Sequence, residues 1–366
     1  MTQEFERRIL LIDGYNLFIP HYMVNSNVTN REGIPVGGVV GFLQSLYYYA
    51  YEHNPTEIIV IWDGKGGSTK RKLLFENYKA SRKVYADATK ITRWARLSND
   101  FFVIRNQEEE DALRKMQLKK LNYMLSLLPI KNISIDGVEA DDVIADIVTK
   151  NKNNFKNLSL IVSTDNDFWQ LLQYKNVQIF SRVKKGFVTL NDIYERYGCS
   201  PENLPITRSI LGDKSDEIAG IKGVGIKTLY KTMPFLTNRR EYCVEKFCEL
   251  LLKELEDEIA KPAKTANKLK IKTFFSVLEQ KDVLELNYLL CKLDSGILNE
   301  LLNYKQKQQL EYLLKDEALE YRLVEFLDVV IRDDLKLRIE TLMFENEMQK
   351  LWVHNQHHLR GSQNAE

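Results

Sequence analysis

Residues 9–16, ILLIDGYN, decide the fold. Four consecutive apolar residues stop at an aspartate and a glycine. A run this short, rich in Ile and Leu and closed by turn residues, reads as a strand buried on both faces. The pattern recurs at residues 58–63 (IIVIWD), 133–136 (ISID) and 158–164 (LSLIVST). Between the runs lie amphipathic helical patterns over residues 39–52, 108–128, 140–150 and 166–173. Strand–helix alternation predicts an α/β domain with a mostly parallel sheet flanked by helices. In such sheets ligands bind beyond the carboxyl ends of the strands.

The remaining composition sets the class. The chain has 366 residues, 44% hydrophobic and 28% charged, with 52 Lys plus Arg against 51 Asp plus Glu. These are the proportions of a folded protein rather than a disordered one. The length predicts two domains, or one core with a large appendage. Near-neutral charge excludes a histone-like binder but not a nucleic-acid protein, because recognition depends on where charge sits. Four cysteines without CxxC spacing indicate reduced thiols rather than disulfides or zinc. The charged start (Glu4, Glu6, Arg7, Arg8) is not a secretory signal. The longest apolar-leaning stretch, about 16 residues from 36 to 51, is shorter than the ~20 a bilayer span needs. A soluble, cytoplasmic protein is expected.

The strongest chemical signal is where the acids fall. Asp13 and Asp63 end the first two strands. Glu139, Asp141 and Asp142 follow the third, in GVEADDVIADI. Asp165 and Asp167 follow the fourth, in STDNDF, and Asp213 and Asp216 lie in LGDKSDEIAG. One such aspartate is an ordinary turn residue or helix cap. Together, on one edge of a parallel sheet, they repel strongly unless protons or cations intervene. Hard divalent cations with oxygen ligands, Mg²⁺ above all, are the natural counter-charge, and no histidine lies near these motifs to suggest zinc. The expected chemistry is two-metal hydrolysis of a phosphoester. Glu139 and Asp142 share one helix face; Asp142 is either a ligand or a group one layer behind.

DGYN, WDG, VEADD, STDND and LGDKSDEIAGIKGVG, taken together over residues 8–232, resemble the metal-site motifs of the flap endonuclease and 5′→3′ exonuclease family. The chain is similar to phage 5′-nucleases and to the 5′-nuclease domain of bacterial DNA polymerase I. The resemblance implies a PIN-like α/β core over residues 1–190, carrying a helical arch at about 65–108. It implies a helix–hairpin–helix (helix–three-turn–helix) duplex-binding element at 191–236. Residues 237–366 are expected to form a C-terminal all-helical region ending in a frayed polar tail. Two Mg²⁺ ions, for which Mn²⁺ can substitute, would bind at Asp13, Asp63, Glu139, Asp141, Asp142, Asp165, Asp167, Asp213 and Asp216.

Two basic features complete this reading. Residues 65–96 hold ten basic residues against two acids. By the family's YKxxR pattern, Lys79 and Arg82 would contact the scissile phosphate and stabilise developing charge. Tyr78 would stack on a base, with Lys70 and Arg71 also on DNA. Gly220, Lys222, Gly223, Gly225 and Lys227 form a GxxGxG turn in which backbone N–H groups can approach duplex phosphates without reading sequence. The family often holds K⁺ there. Lys261–Lys272 would extend that surface, or the C-terminal helices would dock a single-strand-binding protein or sliding clamp onto what is expected to be a monomer.

The function implied is a structure-specific 5′-nuclease that acts as 5′→3′ exonuclease and flap endonuclease, removes RNA primers, and suits a phage replication protein. A PIN-type ribonuclease and an inactive DNA-junction binder are the alternatives. A haloacid-dehalogenase-like phosphatase is excluded, because position 15 is Tyr where that fold needs Asp.

Overall fold

The computed structural model describes residues 5–79, 90–293, 302–313, 318–337 and 341–363. Strands β1 (Arg7–Asp13), β2 (Glu57–Asp63), β3 (Lys131–Ile135), β4 (Asn157–Val162), β5 (Val177–Ser181) and β6 (Gly186–Phe187) form one sheet in the order β3-β2-β1-β4-β5-β6. The first five are mutually parallel and β6 is antiparallel to β5. Both faces are covered. Leu10, Ile12, Ile58, Val60, Trp62, Leu160 and Val162 face one core; Ile9, Leu11, Ile59, Ile61, Ile161 and Ile179 face the other. This alternation between two apolar layers is why the strands read as unbroken apolar runs.

Helices α1 (Gly14–Val24), α2 (Gly37–His53), α3 (Thr69–Leu74), α4 (Lys90–Leu97) and α5 (Gln107–Leu125) follow β1 and β2. Of these, α1, α2 and α5 cover the first face; α6 (Ala140–Asn151) and a 3₁₀ turn (Asp167–Gln173) cover the second. The 3₁₀ turn replaces the α-helix expected over 166–173. Gln170 ties it both to itself and to the later chain: its side chain donates to the carbonyls of Asp167 (2.7 Å) in the same turn and Cys291 (3.1 Å), and accepts from the N–H of Leu293 (2.9 Å).

A third apolar cluster lies beyond the sheet edge. It is built from α7 (Leu190–Tyr197), α8 (Leu204–Leu211), α9 (Ile226–Thr232), α10 (Val244–Ile259), α11 (Lys268–Glu279) and α12 (Lys281–Cys291). The small hairpin β7 (Gly212–Asp213) and β8 (Ile218–Ala219) follows α8, and its Ile218 packs with Tyr78 instead. The later helices return to the sheet. Leu302 and Leu310, the latter on α13 (Tyr304–Leu313), join the second face. Phe326 and Val329 of α14 (Leu323–Arg332), with Phe344, Met348 and Leu351 of α15 (Thr341–Gln363), join the first. The polar tail expected to fray is helical as far as Gln363. Among the described residues no helix is long and apolar enough to cross a membrane.

Two local features place the chemistry. A Cβ on Gly64 would lie 1.8 Å from the carbonyl oxygen of Ile135, so only glycine lets the end of β2 lie against the end of β3. Asp63 is thereby brought beside the segment after β3, and its Oδ1 accepts from the N–H of Ala140 at 2.8 Å. At the opposite end of the sheet Glu57 ties three strands together. It accepts from Arg7 Nε (2.9 Å) on β1 and pairs with Lys131 Nζ (2.8 Å) on β3. Burial opposes its charge, but Arg7 and Lys131 outweigh burial and hold the carboxyl below its ordinary value. Its stabilisation is therefore complete above the ordinary value near 4.5 and is lost as pH falls through the lower folded value. Glu57→Gln leaves Lys131 buried without its counter-charge and should cost roughly 3 kcal/mol in urea unfolding at pH 7. The difference from the parent should shrink as pH falls through that lower folded value.

Candidate metal centre

The carboxyl ends of β1, β2 and β4 meet at the switch point of the sheet, where β2 departs to one side of β1 and β4 lies on the other. Asp13 closes β1 and caps α1: its Oδ1 accepts from the N–H of Asn16 (3.1 Å) and its Oδ2 from Ser163 Oγ (3.2 Å). After β4 the chain turns on its own acids, the N–H of Asp167 donating to Asp165 Oδ1 at 2.9 Å. Glu139 stands one residue before α6, and Asp141 and Asp142 occupy the first turn of that helix, where the macrodipole favours negative charge. Asp213 lies on β7 and Asp216 in the turn to β8.

Two groups of three emerge: Glu139 with Asp141 and Asp142, and Asp167 with Asp213 and Asp216. Within each, one carboxylate oxygen from every member lies within 4.8 Å of the others. Donor sets made only of carboxylate oxygen, at that spacing, suit a hard divalent cation. Asp13, Asp63 and Asp165 lie outside these groups but inside the same field. Burial first, then repulsion from Asp63, Asp165 and Asp141, pushes Asp13 up to about 7. Burial and the charges of Asp141 and Asp216 raise Asp165, and burial with Asp165 and Asp213 raises Asp167. The nine acids therefore share one electrostatic neighbourhood.

Cations already sit against these groups. The Arg71 guanidinium hydrogen-bonds Glu139 and grips Asp142 at 2.9 and 2.7 Å. Lys79 Nζ donates to Glu139 Oε1 at 2.5 Å, and the Lys79 N–H donates to the Asp216 carbonyl at 3.2 Å. Lys79 thus touches a member of each group. Arg208, on α8, hydrogen-bonds Asp213 and lies 2.7 Å from Asp167 Oδ1. Burial pushes Asp142 up to about 6 against the pull of Arg71. Arg208 and Ser215 outweigh burial at Asp213 and hold its carboxyl below the ordinary value.

Three expectations change. Tyr78 is only 2% exposed and packs with Ile218, Leu290 and Cys291. Its ring anchors the base of the basic segment and does not offer a face to a base. Arg71, 9% exposed, spends its guanidinium on carboxylates rather than on DNA. Lys70 has a buried Nζ without a hydrogen bond, and burial lowers its pKa against the attraction of Asp142. Arg82 lies outside the described residues. The glycine turn follows the β7–β8 hairpin and leads into α9, with α8 on the other side, so helices flank it as expected. Gly223 has φ +86° with open space around it, while Lys222 and Lys227 are exposed. Arg208 went unread, and its signal was there: one arginine in the otherwise uncharged LPITRSIL.

Residues 8–198, more than half the chain, match the family described as 5′-3′ exonuclease, N-terminal resolvase-like domain. The chain is 29% identical over 222 residues to a 5′-3′ exonuclease of Buchnera aphidicola, covering 60% of this chain and 68% of that protein. It is 28% identical over 235 residues to DNA polymerase I of Caldicellulosiruptor bescii, covering 62% of this chain and about a quarter (24%) of the polymerase. A bacteriophage T5 protein co-crystallised with metal ions superposes with a TM-score of 0.60 at 21% identity, over 88% of this chain and 99% of that one. A T5 flap endonuclease in a complex with DNA and metal ions superposes equally well, over 84% and 98%. These structures share the mainly parallel six-stranded sheet with flanking helices and a helical C-terminal region.

Burial of Asp13, reinforced by repulsion from its neighbours, has a measurable consequence. Asp13 holds its proton more tightly when folded, near 7, than the ordinary value of 3.8. Metal-free protein should therefore lose stability as pH rises from about 4 to about 7. Asp13→Asn keeps a good helix cap and removes the charge. In EDTA at pH 8 it should melt several degrees above the parent, and Mg²⁺ should narrow that gap.

Proposed function

We propose that this chain, which belongs to the 5′-3′ exonuclease family matched by its N-terminal half, is a metal-dependent, structure-specific 5′-nuclease. Its substrates would be flapped, nicked and RNA-primed DNA. The observation that carries this reading is the pair of three-carboxylate groups, with the Lys79 ammonium on Glu139 of one and the Lys79 backbone N–H on the Asp216 carbonyl of the other. Two Mg²⁺ ions are the cations assigned, with Mn²⁺ able to replace them. When bound they supply activated water and charge stabilisation at phosphorus.

The chain's own residues do the rest. Glu139, Asp141 and Asp142 would hold one cation and Asp167, Asp213 and Asp216 the other, with Asp13, Asp63 and Asp165 completing the site directly or through water. Burial alone would favour loss of the Lys79 proton, but Asp141, Glu139 and Asp216 overcome it and keep the ammonium charged. A charged ammonium beside both groups is suited to the negative charge that grows on a reacting phosphate. We assign Arg82 the same task on the family pattern. The Gly220–Lys227 turn, with Lys222, Gly223, Gly225 and Lys227 exposed, borders the hairpin carrying Asp213 and Asp216, so duplex held there would lie beside the chemistry. We accordingly divide the work into catalysis by residues 1–190, duplex grip by 191–236, and support of both by the helices of 237–366.

The reading is tested by Mg²⁺-dependent cleavage of blunt, nicked, RNA-primed and 5′-flap substrates beside single-stranded RNA. Flap and nick cleavage that releases 5′-phosphates is the expected result; cleavage of RNA alone would instead favour a PIN-type ribonuclease. Asp165→Asn with Asp167→Asn should lower the rate by more than about 100-fold, while flap binding in Ca²⁺ persists. Undiminished cleavage by that double variant would overturn the assignment. Lys222→Ala with Lys227→Ala should weaken duplex binding and reduce the slope of log K against log salt by about 2.

A further inference from the structure

The two carboxylate groups differ in what holds them together. Glu139, Asp141 and Asp142 are near neighbours in sequence at the start of one helix, so helix geometry sets their spacing. Asp167 opens the 3₁₀ turn after β4, while Asp213 and Asp216 belong to a hairpin more than forty residues later. No single backbone element keeps these three acids together, and their repulsion drives the two segments apart.

Among the described contacts, one side chain reaches carboxylates on both segments. Arg208 lies on α8 and is 8% exposed. Its NH2 sits 2.7 Å from Asp167 Oδ1 and also hydrogen-bonds Asp213 Oδ2. Its NH1 donates to the Tyr197 hydroxyl at 3.1 Å, and the guanidinium lies 5.9 Å from the centroid of that ring. The arginine is therefore held from behind by a partner that is not a metal ligand. Three carboxylates and one guanidinium leave a net charge suited to one divalent cation.

We infer that Arg208 is a positioning residue for the second metal group, resting on the two-metal reading above. It is a fixed part of the site rather than a cation that a metal displaces. It holds Asp167 and Asp213 at ligand spacing before the metal arrives. Because β8 runs directly into the glycine turn, it also ties the duplex-binding loop to the nuclease core.

A displaceable counter-ion and a clamp predict opposite signs. Removing a competitor tightens metal binding; removing a clamp weakens it. The test is Mn²⁺ binding to the full chain without DNA, followed by electron paramagnetic resonance, with melting curves alongside. Wild type should bind two Mn²⁺ and Asp213→Asn should lose one. If wild type binds fewer than two, or Asp213→Asn changes nothing, the two-metal reading itself fails. Given that baseline, Arg208→Met should weaken one site by about 10- to 100-fold and leave the other unchanged. Arg208→Lys, which keeps the charge but not the fork, should recover part of the loss. Tyr197→Phe, which frees NH1, should weaken the same site by a smaller factor. Unchanged or tighter binding in Arg208→Met overturns the inference. If that variant does not fold, unchanged binding in both Arg208→Lys and Tyr197→Phe overturns it equally.

Discussion

Mutual repulsion among carboxylates at one end of the sheet is the constraint around which this structure is arranged. A parallel sheet buried on both faces offers a low-dielectric floor, and charges gathered at its rim interact far more strongly than they would in water. The chain answers in two ways. Some acids, pushed first by burial and then by their neighbours' charge, rise in pKa, Asp13 to about 7 and Asp142 to about 6. Others are met by cations from different segments: Arg71 and Lys79 from the basic segment, and Arg208 from α8. The cations also act as struts. Lys79 joins Glu139 to the Asp216 backbone, and Arg208 joins the 3₁₀ turn to the β7–β8 hairpin. The electrostatic problem and the docking of the third apolar cluster against the sheet are thus settled by the same contacts.

This bears on what could be read in advance. Strands β1, β2 and β4 were legible because both of their faces are largely buried, leaving runs such as IIVIWD; β3 (KNISI), at the sheet edge, showed only as two isoleucines at alternate positions. β5 (VQIFS) was not: Gln178 is exposed and the strand is short, so its pattern resembles a loop. α1 was hidden by Pro20 and by an N-cap, Asp13, that doubles as a strand-end acid. The acids themselves were legible as a set, since their positions after strands follow from topology. Their partners were not, because which cation meets which acid depends on the packing of segments remote in sequence. Arg208 meets an acid 41 residues before it in the chain as well as one five residues after it.

Tyr78 shows the same limit in an apolar setting. An aromatic in a basic, glycine-flanked segment suggests stacking on a base. Here the ring is enclosed by Ile218, Leu290 and Cys291, so it roots the base of that segment on β8 and α12. Its neighbour Lys79 takes a positive φ of +57°, an uncommon backbone state for a lysine. Burial of Tyr78 on one side and the Lys79 hydrogen bonds on the other hold that conformation. The placement of the ammonium is accordingly set by packing against β8 and α12, not by the basic segment alone.

The charge balance can now be divided by location. Setting the nine carboxylates of the candidate centre aside leaves 52 basic residues against 42 acids, a basic surplus over the rest of the chain. Part of that surplus is not at the surface. Arg71, Lys79 and Arg208 lie against the acids, and Lys70 has a buried Nζ. The outward positive field is therefore weaker than the count implies, and it rests more on exposed lysines such as Lys222, Lys227, Lys268 and Lys272. These cluster by structure rather than by sequence. Ser276 of α11 donates to the Lys222 carbonyl at 2.7 Å, and Lys268 and Lys272 precede Ser276 at helical spacing. A near-neutral chain can in this way hold an acidic interior site and still present a basic ridge beside it, because each charge is compensated where it lies.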